Sequence, residues 1–274
     1  MARKRLTQIF PFLLPLRKWQ RKLFFYWKMR LDKNRYAAEI ADGLLPHEVF
    51  RTESLLLNEN SGYDMQYQHN KVFNLQLAAK TVNHLLIRPG ETFSFWMRVR
   101  NADRDEPYKD GLVLVDGKIV GAYGGGLCQI SSMLFWMFLH TPLTIVERHG
   151  HAVESFPTTT EDLPSGTDAT VTEGWLDLKV KNETAHPFQL EITFADGYMI
   201  GRVLSDTELP CEYEIYNASV DYYRKNGRVY QESSVERRRT DKETGAVDDT
   251  HLYRTTSEIG YELPDDIEII DKGE

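Results

Sequence analysis

Residues 121–151 read GAYGGGLCQISSMLFWMFLHTPLTIVERHGH. Three glycines in a row, Gly124, Gly125 and Gly126, are expensive to order. A fold keeps such a run where the backbone turns sharply or approaches another segment closely. Residues 130–139 follow as an apolar run of helix length, broken only by Ser131 and Ser132, and Pro142 stops it. The pattern predicts a glycine turn that delivers Cys128 to the first turn of a buried helix. A thiol there lies at the positive end of the helix dipole, beside unpaired backbone N–H groups that favour the thiolate. The same N–H groups can receive an oxyanion. The competing reading makes Cys128 a small buried hydrophobe, as isolated cysteines commonly are.

A nucleophilic thiol needs a base, and the nearest candidates are His149 and His151, about twenty residues downstream past the helix and a β-branched run at residues 143–148. A strand returning across the helix brings such residues back to the helix start. On extended chain both imidazoles project to one face, with Arg148 on the other. One histidine then serves as base while the other orients or binds substrate. Arg148 pairs with Glu147 or reaches a loop carboxylate. Asp168 and Asp177 both qualify as orienters of an imidazole, and spacing does not choose between them. Cys128, His149 and His151 also make up a three-ligand zinc set, but no CxxC or HExxH pattern supports it. No metal and no cofactor is expected. Ser131 and Ser132 read as ordinary residues of the first helical turns.

Outward from this centre the chain alternates between the two periodicities. Residues 71–86 carry Val72, Leu75, Ala78, Ala79, Val82 and Leu85 at helical spacing, with Asn70 as the expected N-cap. Residues 91–95 alternate like a strand, and 97–110 read as a charged surface loop. Residues 112–115 and 118–120 flank Asp116-Gly117 as a hairpin leading into the glycine turn. Residues 157–164 form a Thr-rich loop. Short β segments follow at 168–171, 176–180, 188–194 and 199–204, the last two joined at Asp196-Gly197. Two more at 213–223 and 228–239 meet at Asn226-Gly227, and another spans 251–256. The expected fold is α+β: a mostly antiparallel sheet around one buried central helix, with a basic N-terminal helical arm. The parts are the arm (1–36), a helical lead-in (37–86), the central domain (87–204), a C-terminal β extension (205–261) and an acidic, frayed tail (262–274).

Composition bounds the function. The chain has 274 residues and only two cysteines, Cys128 and Cys211, so no disulfide framework is implied. The net charge of -8 is unevenly spread. Residues 1–36 hold eleven Lys and Arg against the single Asp32, a net +10, which leaves -18 for the remainder. The arm interleaves those cations with Phe10, Phe12, Leu16, Trp19, Leu23, Phe24 and Trp27, which suits an anionic membrane surface rather than nucleic acid. Pro11 and Pro15 break its longest apolar stretch, so it reads neither as a transmembrane helix nor as a secretory signal.

The motifs GGGLCQISS (124–132), ERHGHAVESFP (147–157) and GTDATVTEGWLDLKVKNET (166–184), with RPGETFSFW (88–96) upstream, resemble the VanW family signature over roughly residues 87–204. The resemblance implies an accessory protein of glycopeptide (vancomycin) resistance, and L,D-transpeptidase-like acyl transfer on peptidoglycan stem peptides or precursors. Carried over, the nucleophile is Cys128 and the H-x-H positions are His149 and His151, with His151 as the base. Gly125, Gly126, Gln129, Arg148 and Asp168 surround the oxyanion and substrate. The alternative within the same resemblance is a non-catalytic binder of cell-wall precursors at the membrane. Either role places the protein in the cytoplasm, peripheral at the inner face of the membrane.

Overall fold

The apolar run after the glycines forms a helix over Cys128–Leu139, and its Ile130, Leu134, Phe135, Met137 and Phe138 are completely buried. A computed structural model describes residues 10–59, 62–115, 118–154 and 163–273. In chain order these residues form α1 (Leu14–Leu31), β1 (Arg35–Tyr36), β2 (His47–Leu55), α2 (Met65–Val82), β3 (Leu86–Ile87), β4 (Glu91–Ser94) and α3 (Phe95–Val99). The hairpin strands β5 (Asp110–Val115) and β6 (Lys118–Tyr123) precede the central helix, α4 (Cys128–Leu139). Then come β7 (Thr144–Glu147), β8 (Val153–Glu154), β9 (Lys179–Lys181), β10 (Phe188–Ala195) and β11 (Tyr198–Ser205). Three long strands, β12 (Cys211–Lys225), β13 (Arg228–Asp241) and β14 (Val247–Ile259), lead to a short β15 (Ile269–Asp271).

Three sheets surround α4. One has the spatial order β1-β4-β9-β7, a second β2-β11-β10-β3, and a third β15-β12-β13-β14-β8. The helix packs on β2 and β11 of the second sheet. Phe138 meets Phe93 of β4 at 5.2 Å between ring centroids, and Phe135 meets Tyr253 of β14 at 6.1 Å. One apolar cylinder therefore serves as the core of all three sheets, which explains why it is hydrophobic nearly all round. The fold is α+β and mostly antiparallel sheet, with a buried helix at its centre.

Helix α2 lies beside α4 and carries the hairpin. Its buried stripe is Leu75, Ala78, Ala79 and Val82, and Asn74 continues that stripe as a buried polar residue. The Asn74 amide is fully used: Nδ2 donates to the carbonyls of Lys109 and Gly125, and Oδ1 accepts from the Lys109 N–H. This amide ties the start of β5 to the glycine turn. The two segments lie so close that a Cβ on Gly125 would come within 2.2 Å of the Gly111 carbonyl carbon.

Several local expectations are revised. The N-cap of α2 is Asp64, whose side chain accepts from the Gln66 N–H, so the helix starts well before Asn70. Asn70 instead donates to the Asp110 carbonyl across the gap to the hairpin. The strand expected over 91–95 stops at Ser94, because its hydroxyl accepts from the Met97 N–H and starts α3. The charged stretch from 97 is therefore helical as far as Val99. Residues 168–171 join no ladder, since Ser131 and Ser132 of α4 take the Ala169 backbone groups, Arg148 takes the Asp168 carbonyl and the His149 carbonyl takes the Thr170 N–H. In the acidic tail, Ile269–Asp271 pairs in parallel with residues 222–224 of β12. The hairpins predicted at Asp196-Gly197 and Asn226-Gly227 form as expected. The Asp116-Gly117 turn joins two strands that do pair, but the turn itself lies outside the described residues, as does most of the Thr-rich loop at 157–164.

The Gly111–Gly125 approach leaves no flexible side chain to give way. Gly125→Ala is expected to cost about 1–3 kcal/mol by overpacking. Gly43→Ala, with nothing within 4 Å of the added Cβ, is the control. Thermal unfolding of the two variants checks this: equal melting temperatures would contradict the close approach.

Candidate functional site: a cysteine, a histidine and an aspartate at the start of the central helix

The glycine turn places Cys128 at the first position of α4, preceded by Leu127 as N-cap. Gly126 adopts φ +96°, and a Cβ there would strike Lys71 Cγ at 2.2 Å, so this position accepts only glycine without strain. Among the described residues, the N–H groups of Gly126, Leu127 and Cys128 make no backbone hydrogen bond. The Gln129 N–H, also expected to hold an oxyanion, is taken by the Gly126 carbonyl at 3.0 Å. The Gln129 side chain is engaged too: Nε2 donates to Ser54 Oγ and to the Leu55 carbonyl, both at 2.8 Å. Gln129 thus fastens the helix start to β2.

The segment at residues 168–171 lies alongside the first turns of α4. Ser131 Oγ donates to the Ala169 carbonyl at 2.6 Å, and Ser132 Oγ accepts from the Ala169 N–H at 3.1 Å. That clasp brings Thr170 Oγ1 to 3.5 Å from the Cys128 sulfur. It also sets Asp168 beside His151. Asp168 Oδ2 accepts from His151 Nδ1 at 2.5 Å and from the His151 backbone N–H at 2.7 Å. A carboxylate can only accept, so Nδ1 carries hydrogen and donates to Asp168. His151 lies close enough to Cys128 for its charge to act on the thiol.

Arg148 completes the line from behind. Its Nη2 meets Asp168 Oδ1 at 2.7 Å and the Gly166 carbonyl at 2.7 Å, while Nε donates to the Asp168 carbonyl at 2.7 Å. The guanidinium lies over the rings of Phe135 and Tyr253, and only 9% of its side chain is exposed. Its donors are occupied by the protein, so its position here is behind the carboxylate rather than toward a substrate.

The remaining sequence candidates lie elsewhere. β7 ends at Glu147, so the two-residue alternation lapses and the two histidines part. His149 Nε2 is 3.1 Å from Glu147 Oε1, and Glu147 is also paired with Lys179. Cys128, His149 and His151 therefore do not converge as a metal set. Asp177 accepts from Ser94 Oγ and the Trp96 N–H, and burial pushes it up to about 6. Between the two candidate orienters the geometry selects Asp168. Ser131, Ser132 and Thr170 are the contributors that the sequence reading passed over. Their only signals were the Ser-Ser step that ends GGGLCQISS and the DAT tripeptide that begins with Asp168 itself.

The electrostatics follow from these contacts. Burial alone would push the Cys128 thiol up, but the hydrogen bond and positive charge of His151 outweigh it and leave the thiol below its ordinary value. Burial also opposes a charged His151, yet Asp168 and Cys128 together raise it to about 10. Asp168 is brought down to about 2 by the His151 hydrogen bond and the Arg148 charge, against the upward pull of burial. The thiol is thus eased toward ionisation beside an imidazole held in its charged form, with a carboxylate and a guanidinium behind it.

A cleft of about 430 Å³ opens beside His151 and Asp168. His151, Asp168, Gln129 and Ser132 line it together with Met133, Trp136, Val153, Glu154 and Ser54. Its walls combine apolar surface with a few convergent polar groups, as substrate sites do.

The site is thus a thiol at a helix N-terminus, an imidazole held by a carboxylate, and a cleft lined by that imidazole and carboxylate. The chain belongs to the VanW family. The profile described as "VanW like protein" matches residues 70–204. The chain is 51% identical over 270 residues to the Vancomycin B-type resistance protein VanW of Enterococcus faecalis, covering 98% of each chain. It is also 35% identical over 127 residues to the uncharacterized protein YoaR of Bacillus subtilis, covering 46% of this chain and 40% of YoaR. No solved structure gives a significant match.

The pKa directions set the pH dependence. The His151 charge stabilises the fold fully below about 6.5, and that contribution is lost as pH rises through about 10. Asp168 contributes fully above about 3.9, and its contribution is lost as pH falls through about 2. NMR titration of the His151 ring is expected to show a midpoint near 10, falling toward 6.5 in Asp168→Asn. An ordinary midpoint near 6.5 in the wild type would contradict the pairing.

Proposed function

We propose that this protein is an accessory protein of vancomycin resistance that carries out cysteine-dependent, L,D-transpeptidase-like acyl transfer on peptidoglycan stem peptides or their precursors. The observation that carries the reading is the Arg148–Asp168–His151 chain of contacts, with His151 and Asp168 lining a cleft and the His151 charge lowering the Cys128 thiol. Membership of the VanW family and the printed role of the enterococcal relative supply the biological setting.

The chemistry follows from the ionised pair. The Cys128 thiolate attacks the carbonyl that precedes the terminal D-residue of the stem. The carbonyl oxygen takes the electron pair and is received by the free N–H groups at residues 126–128. As the tetrahedral species collapses, the C–N bond breaks, the His151 imidazolium gives its proton to the leaving amine, and a thioester remains. An acceptor amine then attacks the thioester and surrenders a proton to His151. The new amide forms and the thiolate is released. Asp168 keeps the imidazole in the tautomer that faces sulfur, and Arg148 keeps Asp168 ionised.

Mass spectrometry of the intact protein after incubation with a tetrapeptide stem tests this. The expected result is a gain equal to the stem less its terminal D-residue, located on Cys128 and abolished in Cys128→Ala. His151→Gln is expected to slow transfer by about 10²–10⁴-fold. Undiminished transfer by Cys128→Ala would overturn the reading. Stem binding with no adduct would replace it with a precursor-binding role.

A further inference from the structure

Helix α1 carries two unlike faces. One docks on the body: Met29 is buried, Phe25 packs against the core, and Tyr26 Oη donates to Glu173 at 2.7 Å. Lys22 pairs with Glu173 at 2.8 Å, and the Arg21 guanidinium lies 4.9 Å from the Trp175 ring. These contacts fix the helix, so its other face is a defined surface rather than a fluctuating tail. Along that face Leu16, Trp19, Leu23 and Trp27 recur at spacings of three and four residues, each more than half exposed. Phe12, Phe24 and Leu31 widen the band and are exposed to the same degree. No helix among the described residues is long and apolar enough to cross a membrane.

We infer that this outward face of α1 is a binding surface for an anionic lipid bilayer, on which the helix lies parallel to the membrane plane. Three observations choose lipid over another occupant. The band is wide and rich in tryptophan, phenylalanine and leucine, the residues that settle at headgroup depth. Arg17, Lys18, Lys28 and Arg30, all exposed, lie on the same short helix, where they meet lipid phosphates while their stems lie along the apolar layer. The net charge is +10 on residues 1–36 and -18 on the remainder, so an anionic surface attracts this end and repels the rest, which fixes orientation as well as affinity. A second copy of the same face would set these cations against their own kind.

The docking contact adds a consequence for the site. Glu173 and Trp175 lie on the turn closed by the Thr172–Leu176 bridge, directly after the segment whose Thr170 touches the Cys128 sulfur. The lipid-facing helix and the reactive sulfur are thus held by two ends of one short stretch of chain, which suits a substrate presented from a membrane. Lipid binding itself does not depend on the acyl-transfer reading.

Flotation with vesicles tests the surface. The full chain is expected to bind vesicles of phosphatidylcholine mixed with phosphatidylglycerol, to bind phosphatidylcholine alone more weakly, and to be released by added salt. The triple variant Trp19→Glu, Leu23→Glu, Trp27→Glu should bind the mixed vesicles at least about 10-fold more weakly. Val247→Glu, at an exposed apolar position outside the arm, should bind like the wild type. The replaced side chains are exposed, so unchanged thermal unfolding of the triple variant excludes misfolding as the cause. Equal binding by the triple variant and the wild type would overturn the inference. So would lipid-independent dimerisation of the wild type that the triple variant loses.

Discussion

The ion pair between the nearly buried Arg148 side chain and the half-buried Asp168 is the constraint on which the rest of the site depends. The guanidinium supplies both the charge that keeps this carboxylate ionised and a fixed geometry. With Asp168 ionised, the imidazole of His151 is held through Nδ1 and keeps the charge that acts on the thiol. With Asp168 neutral, the imidazole would lose its orienting partner, and burial would drive it to the uncharged form. The thiol would then lose the charge that brings it below its ordinary value. A single pair some way from the sulfur thus governs how readily the thiol ionises.

The fold serves this arrangement through the central helix. Its interior residues fill the space between three sheets, while its first turn is left at the edge, where Ser131 and Ser132 clasp the 168–171 segment. Asn74 and the Gly111–Gly125 approach then hold the turn against the hairpin. Cys128, the segment of the orienting carboxylate and the N–H groups without a backbone partner are all fixed by contacts to one rigid cylinder. Such preorganisation is what a transition-state site requires. The arm extends the same logic outward, since its inner face seats on the turn that continues the clasped segment.

Much of this was legible in the residues. Glycine runs, apolar runs of helix length and Asp-Gly or Asn-Gly turns report local backbone needs, so the central helix and the two-residue hairpins at 196–197 and 226–227 could be placed correctly. The family motif pointed to Cys128 and His151. The sequence could not separate Asp168 from Asp177, because the choice is made by Ser131 and Ser132 across a helix, a contact nearly forty residues long in sequence. Alternation also implied that His149 and His151 share a face. The strand ends two residues before His149, and Glu147 draws that ring away. Helix and strand starts were misplaced where a polar cap won over apolar periodicity, as at Asp64 and Ser94. The short parallel pairing of residues 269–271 has no local signal at all, because its stabilisation comes entirely from the edge of β12.

The central claim is that Cys128 exists as a thiolate paired with the His151 imidazolium. The most direct test is the rate of iodoacetamide alkylation of Cys128 against pH, in a Cys211→Ala background so that one sulfur is followed. The account predicts rapid alkylation at neutral pH with an apparent pKa well below the ~8.5 of a free thiol, rising to that value or above in His151→Gln. A wild-type midpoint at or above ~8.5, or a folded-state sulfur that does not react, would contradict it.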